Sequence, residues 1–425
     1  MAAGELPEPL VDLRLPCGVL RAVGLWRTGE GGLFYSAYTV WCLLMLVCSV
    51  LGQLAGLQGH WANLPTVSTS VCLTLTTSCT IFKALVFLRQ RRRVDALVSR
   101  VERSVSAFWP LPPARRAAML LEARRSALLM FSIFFGIGAV ALSLFYAGPA
   151  LQNIKDRELI DSAPDNATLD RHLGRNLPML IWWYGGQPVE APYYQLAYAL
   201  ICYWFMLIYL STSTLDAFYV TFIIFLSSQL KMLNAALADA VQSAGLSDEL
   251  GNRSGGQPTG AAAGRRADYR RLVHCILFHQ QIIQSVHEME SLLSPSVLTQ
   301  FATSTLVICF TAFAVTTSTK KQEMPAYATY LATMFYELFM YCWYGNELLE
   351  QSDRLRLSAY SSAWPDAGGH FQHSLCIVLS RAQRPVCLTA AKLYKLSRET
   401  FLVLLKGSYT YFALLHQMND RQYNA

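Results

Sequence analysis

The sequence predicts an all-α membrane protein with seven transmembrane helices, a cytoplasmic N-terminus and an extracellular C-terminus. Hydrophobic residues make up 53% of the 425 residues and charged residues only 15%, whereas an average soluble domain carries about 25% charge. Several uncharged stretches are long enough to cross a bilayer, and the loops between them alternate between many and few basic residues. These three observations together define the predicted fold class.

The spans follow from the length of the uncharged stretches, because about 20 apolar helical residues cross a hydrocarbon core of about 30 Å. Five stretches lack Asp, Glu, Lys and Arg, and these are 31–57, 61–82, 126–146, 191–215 and 291–319. A sixth span, 324–344, is interrupted by Glu337, and a seventh, about 393–415, by Lys406. The apolar stretch 217–230 is interpreted as the fourth helix continuing beyond the bilayer. Seven spans are predicted, with six or eight as the alternatives.

The orientation follows from Lys and Arg, which accumulate on the cytoplasmic side of membrane proteins. The N-terminal segment holds three of them, and the second, fourth and sixth connections hold eleven, six and seven. The first, third and fifth connections hold none, four and two. The N-terminus is therefore predicted inside and the C-terminus outside, the reverse of a G-protein-coupled receptor.

This topology divides the chain into segments of different expected roles. We expect a cytoplasmic segment 1–32, helices one to four in 33–230 with an outer loop 147–190, a cytoplasmic loop 231–290, helices five and six in 291–346, a cytoplasmic region 347–392, a last helix 393–417 and an extracellular tail 418–425. The outer loop holds a glycosylation sequon at Asn166, a weak signal. The stretch 244–264 is rich in Gly, Ala and Ser, and we expect a flexible insert without structure there.

Catalytic and metal-binding motifs do not appear in the sequence, so neither an enzyme nor a cofactor is predicted. The informative polar residues are three charges inside the spans: Asp216, Glu337 and Lys406. An ionisable group in hydrocarbon costs roughly 2.5–3.5 kcal/mol on insertion scales, so such groups are expected to face protein or water. For Asp216 and Glu337 the alternative is hydration at the inner membrane boundary.

The last helix carries a polar stripe, because Gly407, Thr410, Leu414 and Gln417 recur at helical spacing and share one face. Such a face suits a water-filled pore with a hydrophobic constriction at Leu414. One chain supplies only one face, so a pore would need several copies around an axis. A helix-packing face is the alternative that the pattern leaves open.

The C-terminal part of the chain resembles the insect odorant receptors. The motifs that carry the resemblance are Tyr336-Glu337, Tyr341-Cys342, Gly345-Asn346-Glu-Leu348, Ser358-Ala-Tyr360, Trp364, Pro385-Val-Cys-Leu-Thr389, Lys392-Leu-Tyr394, Leu396-Ser-Arg-Glu-Thr-Phe401 and Ser408-Tyr-Thr-Tyr-Phe-Ala-Leu-Leu415. They cover about the last 90 residues. Inverted topology, length and a long fourth helix extend a looser similarity over the whole chain.

The resemblance implies a ligand-gated, non-selective cation channel of four subunits in the plasma membrane of a sensory-neuron dendrite. A divergent subunit would bind a small volatile odorant, and a common co-receptor would complete the heterotetramer. Thr410, Leu414 and Gln417 would line the pore, with Leu414 as its gate. The cytoplasmic extensions of the helices, with the region 347–392, would form an anchor domain that joins the subunits. The odorant pocket would lie in the outer half of the second, third, fourth and sixth helices. Its expected residues are Tyr327 and Tyr330 from the resemblance and Leu75, Phe145, Tyr203 and Met206 from their depth alone.

Two departures from the family pattern bear on the type of subunit. The Gly/Ala-rich insert does not reproduce the longer cytoplasmic loop of the co-receptor, which favours an odorant-binding, or tuning, subunit. The ending Thr410-Tyr411 with Gln417-Met418 also resembles gustatory receptors, although Met replaces their usual Phe. A gustatory channel is therefore the close alternative, and a G-protein-coupled receptor is disfavoured by the orientation.

Overall fold

Nine α-helices and one small antiparallel sheet make up the part of the chain that the computed structural model describes, namely residues 14–26, 32–58, 64–162, 176–179, 193–241, 259–317 and 324–424. The helices are α1 (Arg14–Ala22), α2 (Leu33–Gly56), α3 (Leu64–Ala107), α4 (Pro113–Ser162), α5 (Tyr193–Ala238), α6 (Thr259–Thr317), α7 (Met324–Tyr360), α8 (Gly369–Ala382) and α9 (Arg398–Asn424). A short 3-10 turn, Trp364–Asp366, precedes α8. Strands β1 (Thr389–Ala390) and β2 (Tyr394–Lys395) lie between α8 and α9.

Five of the described helices contain a region long and apolar enough to cross a membrane, and these regions are Leu33–Gly56, Val67–Ala107, Pro113–Glu158, Tyr193–Ala238 and Ala263–Thr317. Helices suit this setting because each satisfies its backbone polar groups internally. The sixth and seventh predicted spans fall in α7 and α9, whose apolar stretches contain Glu337 and Lys406. These ionisable residues lower the hydropathy of the two helices.

The core of the bundle surrounds the second half of α5. From Ser211 to Leu230 every residue of this helix is buried. A helix that is apolar on all sides is normally enclosed on all sides, and α5 packs against α4, α6 and α7. α3 lies along α6, and α9 packs on α6 and α7. The stretch 217–230 therefore does continue the fourth membrane helix, as the sequence indicated.

The segment that follows α1 is fastened to the start of α2 and to the core. Tyr35 donates a hydrogen bond to the carbonyl oxygen of Trp26 at 2.6 Å, and Tyr38 donates to that of Ala22 at 2.5 Å. The ring of Trp26 packs against those of Phe87 and Phe218, with centroid distances of 6.0 and 5.7 Å. The first helix is thus part of the packed bundle.

The small sheet forms a hairpin that rests on α6. Its turn holds Ala391 and Lys392 in the left-handed region, with φ of 50° and 58°. The amide of Ala391 donates to Oγ of Ser294 at 2.6 Å, and the hydroxyl of Thr389 donates to Glu290. The hairpin positions the first turn of α9, because α9 begins three residues after β2 ends.

Two expectations for the connecting segments need comment. Within the cytoplasmic loop 231–290, the insert 244–264 is predicted to lack structure. The prediction is wrong for its last residues, because α6 begins at Thr259. The reason is the run of alanines at 261–263, since Ala has the highest helix propensity. The sequon at Asn166 lies outside the described residues.

Candidate functional site

A cavity of about 100 Å³ lies between α3, α4, α5 and α7. Each helix contributes residues at spacings of three and four, so one face of each helix forms one wall. The lining residues are Leu73, Thr76, Thr77, Phe134, Gly138, Ala141, Leu142, Phe145, Phe205, Ile208, Tyr209, Thr212, Ser213, Tyr330, Thr333, Met334 and Glu337. Its walls are mostly apolar and aromatic, with seven hydroxyl groups and one carboxyl group among the lining residues. Small-molecule sites commonly combine an apolar lining with a small number of polar groups.

Aromatic contacts and one hydrogen bond fix the wall that α4 and α7 share. The ring of Phe145 stands perpendicular to that of Tyr330 at a centroid distance of 6.0 Å. The hydroxyls of Tyr330 and Thr76 lie 2.6 Å apart, which joins α7 to α3 across the cavity. Gly138 gives space to Tyr209, because a Cβ atom at this glycine would lie 2.5 Å from the ring. The cavity is therefore defined by side chains with restricted positions.

A cluster of charged side chains forms one end of the cavity. Nζ of Lys83 lies 2.7 Å from Asp216 and 3.2 Å from Glu337, and the three side chains are at most 1% exposed. The hydroxyl of Tyr341 donates to Oδ1 of Asp216 at 2.7 Å. Glu337 belongs both to this cluster and to the cavity wall. The cluster thus connects α3, α5 and α7 directly beside the cavity.

The structure brings together some of the sequence-predicted ligand residues. Tyr330 and Phe145 line the cavity. Tyr327 lies about one turn before Tyr330 on α7 and contacts Phe145, with ring centroids 6.1 Å apart. Tyr203 and Met206 lie on the outside of α5 and are 40% and 43% exposed, so the expectation that they face the cavity is corrected. Leu75 is also absent from the lining residues of the cavity.

The corrections have one physical cause, which is helical phase. Phe205, Ile208 and Tyr209 form the cavity face of α5, and Tyr203 lies two residues, or about 200°, from Phe205 around the helix. On α3 the neighbours Thr76 and Thr77 reach the cavity while Leu75 packs elsewhere. Depth along a helix, the basis of those expectations, does not determine which side of the helix a residue occupies.

The other predicted residues are distributed over two places. Asp216 and Glu337 are fully buried with Lys83, so they are not hydrated at a membrane boundary. Lys406 lies on the exposed side of α9. Thr410, Leu414 and Gln417 are exposed on the same helix, Leu414 by 54%. This face has no packing partner among the described residues of the single chain.

Sequence reasoning missed Lys83, although the signal was present. Lys83 follows 22 uncharged residues, which is the pattern expected at the end of a membrane span. In the structure, however, α3 continues past Lys83 to Ala107. Two buried carboxylates without a cation would be strongly unfavourable. The presence of Asp216 and Glu337 within other spans was therefore the available indication that a basic partner had to lie nearby.

Comparison with known proteins gives a consistent result. A family model described as 7tm Odorant receptor matches residues 63–409. Odorant receptor Or2 of Anopheles gambiae is 30% identical over 247 residues, which are 58% of this chain and 62% of that receptor. Odorant receptor 85c of Drosophila melanogaster is 30% identical over 149 residues, 35% of this chain and 38% of that receptor. The matched region thus spans less than two thirds of either relative.

Solved structures extend the similarity to the fold of nearly the whole chain. The olfactory receptor OR5 of Machilis hrabei, solved in complex with eugenol, has a TM-score of 0.73 at 17% identity and covers 97% of this chain and 100% of that one. The same receptor in a second structure gives a TM-score of 0.75 at 16% identity. The predicted all-α membrane fold is confirmed, and the family model favours the odorant over the gustatory alternative.

Proposed function

Because the chain belongs to the 7tm odorant receptor family, we propose that it is the odorant-binding subunit of a ligand-gated, non-selective cation channel. It acts with odorant co-receptor subunits in a heterotetramer of the sensory-neuron plasma membrane, with its N-terminus inside the cell. The observation that carries the proposal is the largely apolar cavity between α3, α4, α5 and α7. Such a cavity suits a small volatile molecule that leaves water easily.

The size of the cavity limits the ligand. A cavity of about 150 Å³ in another protein holds benzene, and the present cavity of about 100 Å³ is of similar scale. Its occupant would therefore be small and compact unless the walls rearrange. Binding would open the channel by stabilising the open arrangement of the helices more than the closed one.

The exposed face of α9 supports the channel part of the proposal. Thr410, Leu414 and Gln417 are exposed on the single chain, although Leu414 is large and apolar. Four copies around an axis would bring these faces together. Leu414 would then form a hydrophobic constriction that closes by excluding water, with polar rings of Thr410 and Gln417 on either side.

Current recording from cells that express this chain alone and together with an insect odorant co-receptor tests the proposal. We expect a fast cation current under a panel of volatiles that requires the co-receptor and persists when G-protein signalling is blocked. Tyr330→Ala should raise the odorant concentration for half-maximal current at least tenfold. Tyr203→Ala and Met206→Ala are matched controls, since both side chains lie outside the cavity, and should change it less than threefold.

Other outcomes would redirect the assignment. Current from the chain alone would indicate a self-sufficient channel, as in the gustatory alternative. Loss of every response under the G-protein block would contradict the channel mechanism. Normal surface expression with the co-receptor and no current for any volatile would contradict odorant reception itself.

A further inference from the structure

One carboxylate oxygen at the charged end of the cavity lacks a hydrogen bond. Oε1 of Glu337 accepts a hydrogen bond from Nζ of Lys83 at 3.2 Å. Oε2 of the same side chain is buried and has no hydrogen-bond partner among the described residues. Buried polar atoms are nearly always paired, and Glu337 lines the cavity. Oε2 is therefore an acceptor that no described protein group uses, on a side chain that lines the cavity.

The hydroxyl groups of the lining have little to donate to such a molecule. Three of them already donate to main-chain oxygens: Thr77 to Leu73 at 2.8 Å, Thr333 to Thr329 at 2.9 Å and Tyr209 to Phe135 at 2.7 Å. A hydroxyl carries one proton and two acceptor lone pairs. These three groups can still accept hydrogen bonds, but their protons are in use.

The protons of three further hydroxyls follow from the same count. Thr76 donates to the carbonyl oxygen of Cys72 at 2.9 Å, so in its contact with Tyr330 the tyrosine must be the donor. Thr80 donates to the carbonyl oxygen of Thr76 at 2.8 Å, so Thr212 must be the donor in the contact between Thr80 and Thr212. Six of the seven lining hydroxyls thus have committed protons, and Ser213 is the seventh.

The charges nearby strengthen this preference for a donor. Two carboxyl groups, of Asp216 and Glu337, face one ammonium group, that of Lys83. Both oxygens of Asp216 accept from Lys83, and Oδ1 also accepts from Tyr341. Among the four oxygens of these two carboxyl groups, Oε2 of Glu337 is thus the one without a hydrogen-bond partner among the described residues.

Building on the proposed odorant-receptor function, we infer that the cavity selects small apolar odorants that carry a hydroxyl group. The hydroxyl donates to Oε2 of Glu337, while the hydrocarbon part packs against Phe134, Leu142 and Phe145. A carbonyl compound of the same size accepts hydrogen bonds but donates none, so it leaves Oε2 of Glu337 unpaired. A site built to bind a hydroxyl discriminates strongly against the analogue that lacks it.

Paired odorants with equal numbers of heavy atoms test this inference directly. The pairs are benzyl alcohol with benzaldehyde and 1-pentanol with pentanal, applied to cells that express the chain with the co-receptor. We expect half-maximal current at a concentration at least tenfold lower for each alcohol than for its aldehyde. Equal potency within each pair would overturn the inference. This is the result expected if Glu337 shares a proton with Asp216.

Glu337→Gln is the decisive variant because an amide can accept from Lys83 and present its NH₂ group to the cavity. We expect the alcohol preference to fall below threefold or to reverse in favour of the aldehydes. Glu347→Gln is the matched control, because it is the same substitution on the same helix at a residue outside the cavity lining, and it should leave the preference unchanged. An equal loss of response to alcohols and aldehydes in Glu337→Gln would indicate a structural role and contradict the inference.

The outcomes separate this inference from the proposed function. Odorant-gated current without an alcohol preference refutes the hydroxyl selectivity and leaves odorant reception intact. Absence of current for all volatiles, with the subunit at the surface, refutes odorant reception. If Glu337→Gln does not reach the surface, the comparison of alcohols with aldehydes in the unmodified chain decides alone.

Discussion

Lys83 on α3 donates two hydrogen bonds from Nζ to the carboxylate of Asp216 on α5, at 2.7 and 2.9 Å. Both side chains are at most 1% exposed. They are 133 positions apart in sequence, and all of α4 lies between them. This ion pair therefore fixes the relative position of two helices that each form a wall of the candidate odorant cavity.

Removal of Lys83 should destabilise the fold strongly. Lys83→Met leaves two buried carboxyl groups without their cation, and breaking a buried ion pair in this way costs about 3–5 kcal/mol. We expect a large fall in the thermal midpoint of the detergent-solubilised protein. The midpoint is measured by size-exclusion chromatography after heating. The exposed Lys155 provides a control, since Lys155→Met should change stability by less than about 0.5 kcal/mol.

The combined variant Lys83→Met, Asp216→Asn and Glu337→Gln shows whether charge is the cause. It removes every formal charge of the cluster and should recover much of the stability that Lys83→Met loses. If Lys83→Met is as stable as the unmodified chain, the cluster does not hold α3 and α5 together. If the combined variant is no better than Lys83→Met, packing rather than charge explains the loss.

The same cluster shows how far the sequence predicts the fold and where prediction ends. Spans are predictable because hydrocarbon excludes charge over a known length. The partner of a buried charge is not predictable in this way, since Lys83, Asp216 and Glu337 lie on three different helices. Around Tyr203 the exposed side of α5 is as apolar as the buried side, so its sequence has no polar face to indicate how the helix is rotated. Expectations from depth therefore missed the cavity face of this helix.

Gly138 should control the size of odorant that the cavity admits. An added Cβ would lie 2.5 Å from Cε2 of Tyr209, whose hydroxyl is held by the carbonyl oxygen of Phe135. In Gly138→Ala the ring must shift or the methyl group must fill cavity space. We expect at least a fivefold loss of potency for the larger active odorants and little change for the smallest ones, measured as concentration–response curves.

Gly136 provides a matched control on the same helix. A Cβ added there meets no atom within 4 Å, so Gly136→Ala should leave the concentration–response curves unchanged. Its helix should gain up to about 1 kcal/mol, because Ala is the better helix former. Equal effects of the two substitutions on potency would mean that the contact with Tyr209 does not limit the cavity.

Gly345 allows α7 to approach the hairpin that precedes α9. A Cβ at this position would lie 2.9 Å from the main-chain oxygen of Leu396, and a backbone atom cannot move as a flexible side chain does. Gly345→Ala should therefore cost about 1–3 kcal/mol by overpacking. We also expect a smaller maximal odorant current at equal surface expression, because the start of α9 is displaced.

The control for this junction is Gly369→Ala, since an added Cβ at Gly369 meets nothing within 4 Å. It should match the unmodified chain in both thermal midpoint and maximal current. The motif Gly345-Asn346 contributes to the family resemblance, but the sequence alone gives no reason for a glycine there. The reason is a tertiary contact with a residue 51 positions later. A normal current in Gly345→Ala would show that this contact is not needed for gating.

Leu414 should keep the channel closed in the absence of odorant. It is large, apolar and 54% exposed on the single chain, and on α9 it shares a face with Thr410 and Gln417. Under the proposed arrangement Leu414→Ser lets water enter the constriction, so we expect a basal cation current without odorant when the variant is expressed with the co-receptor.

Leu402→Ser, at a similarly exposed position three turns earlier on α9, should show no basal current. A Leu414→Ser channel that is silent at rest and normal under odorant would place the gate elsewhere, and the exposed face of α9 would then be a surface for packing against lipid or another helix.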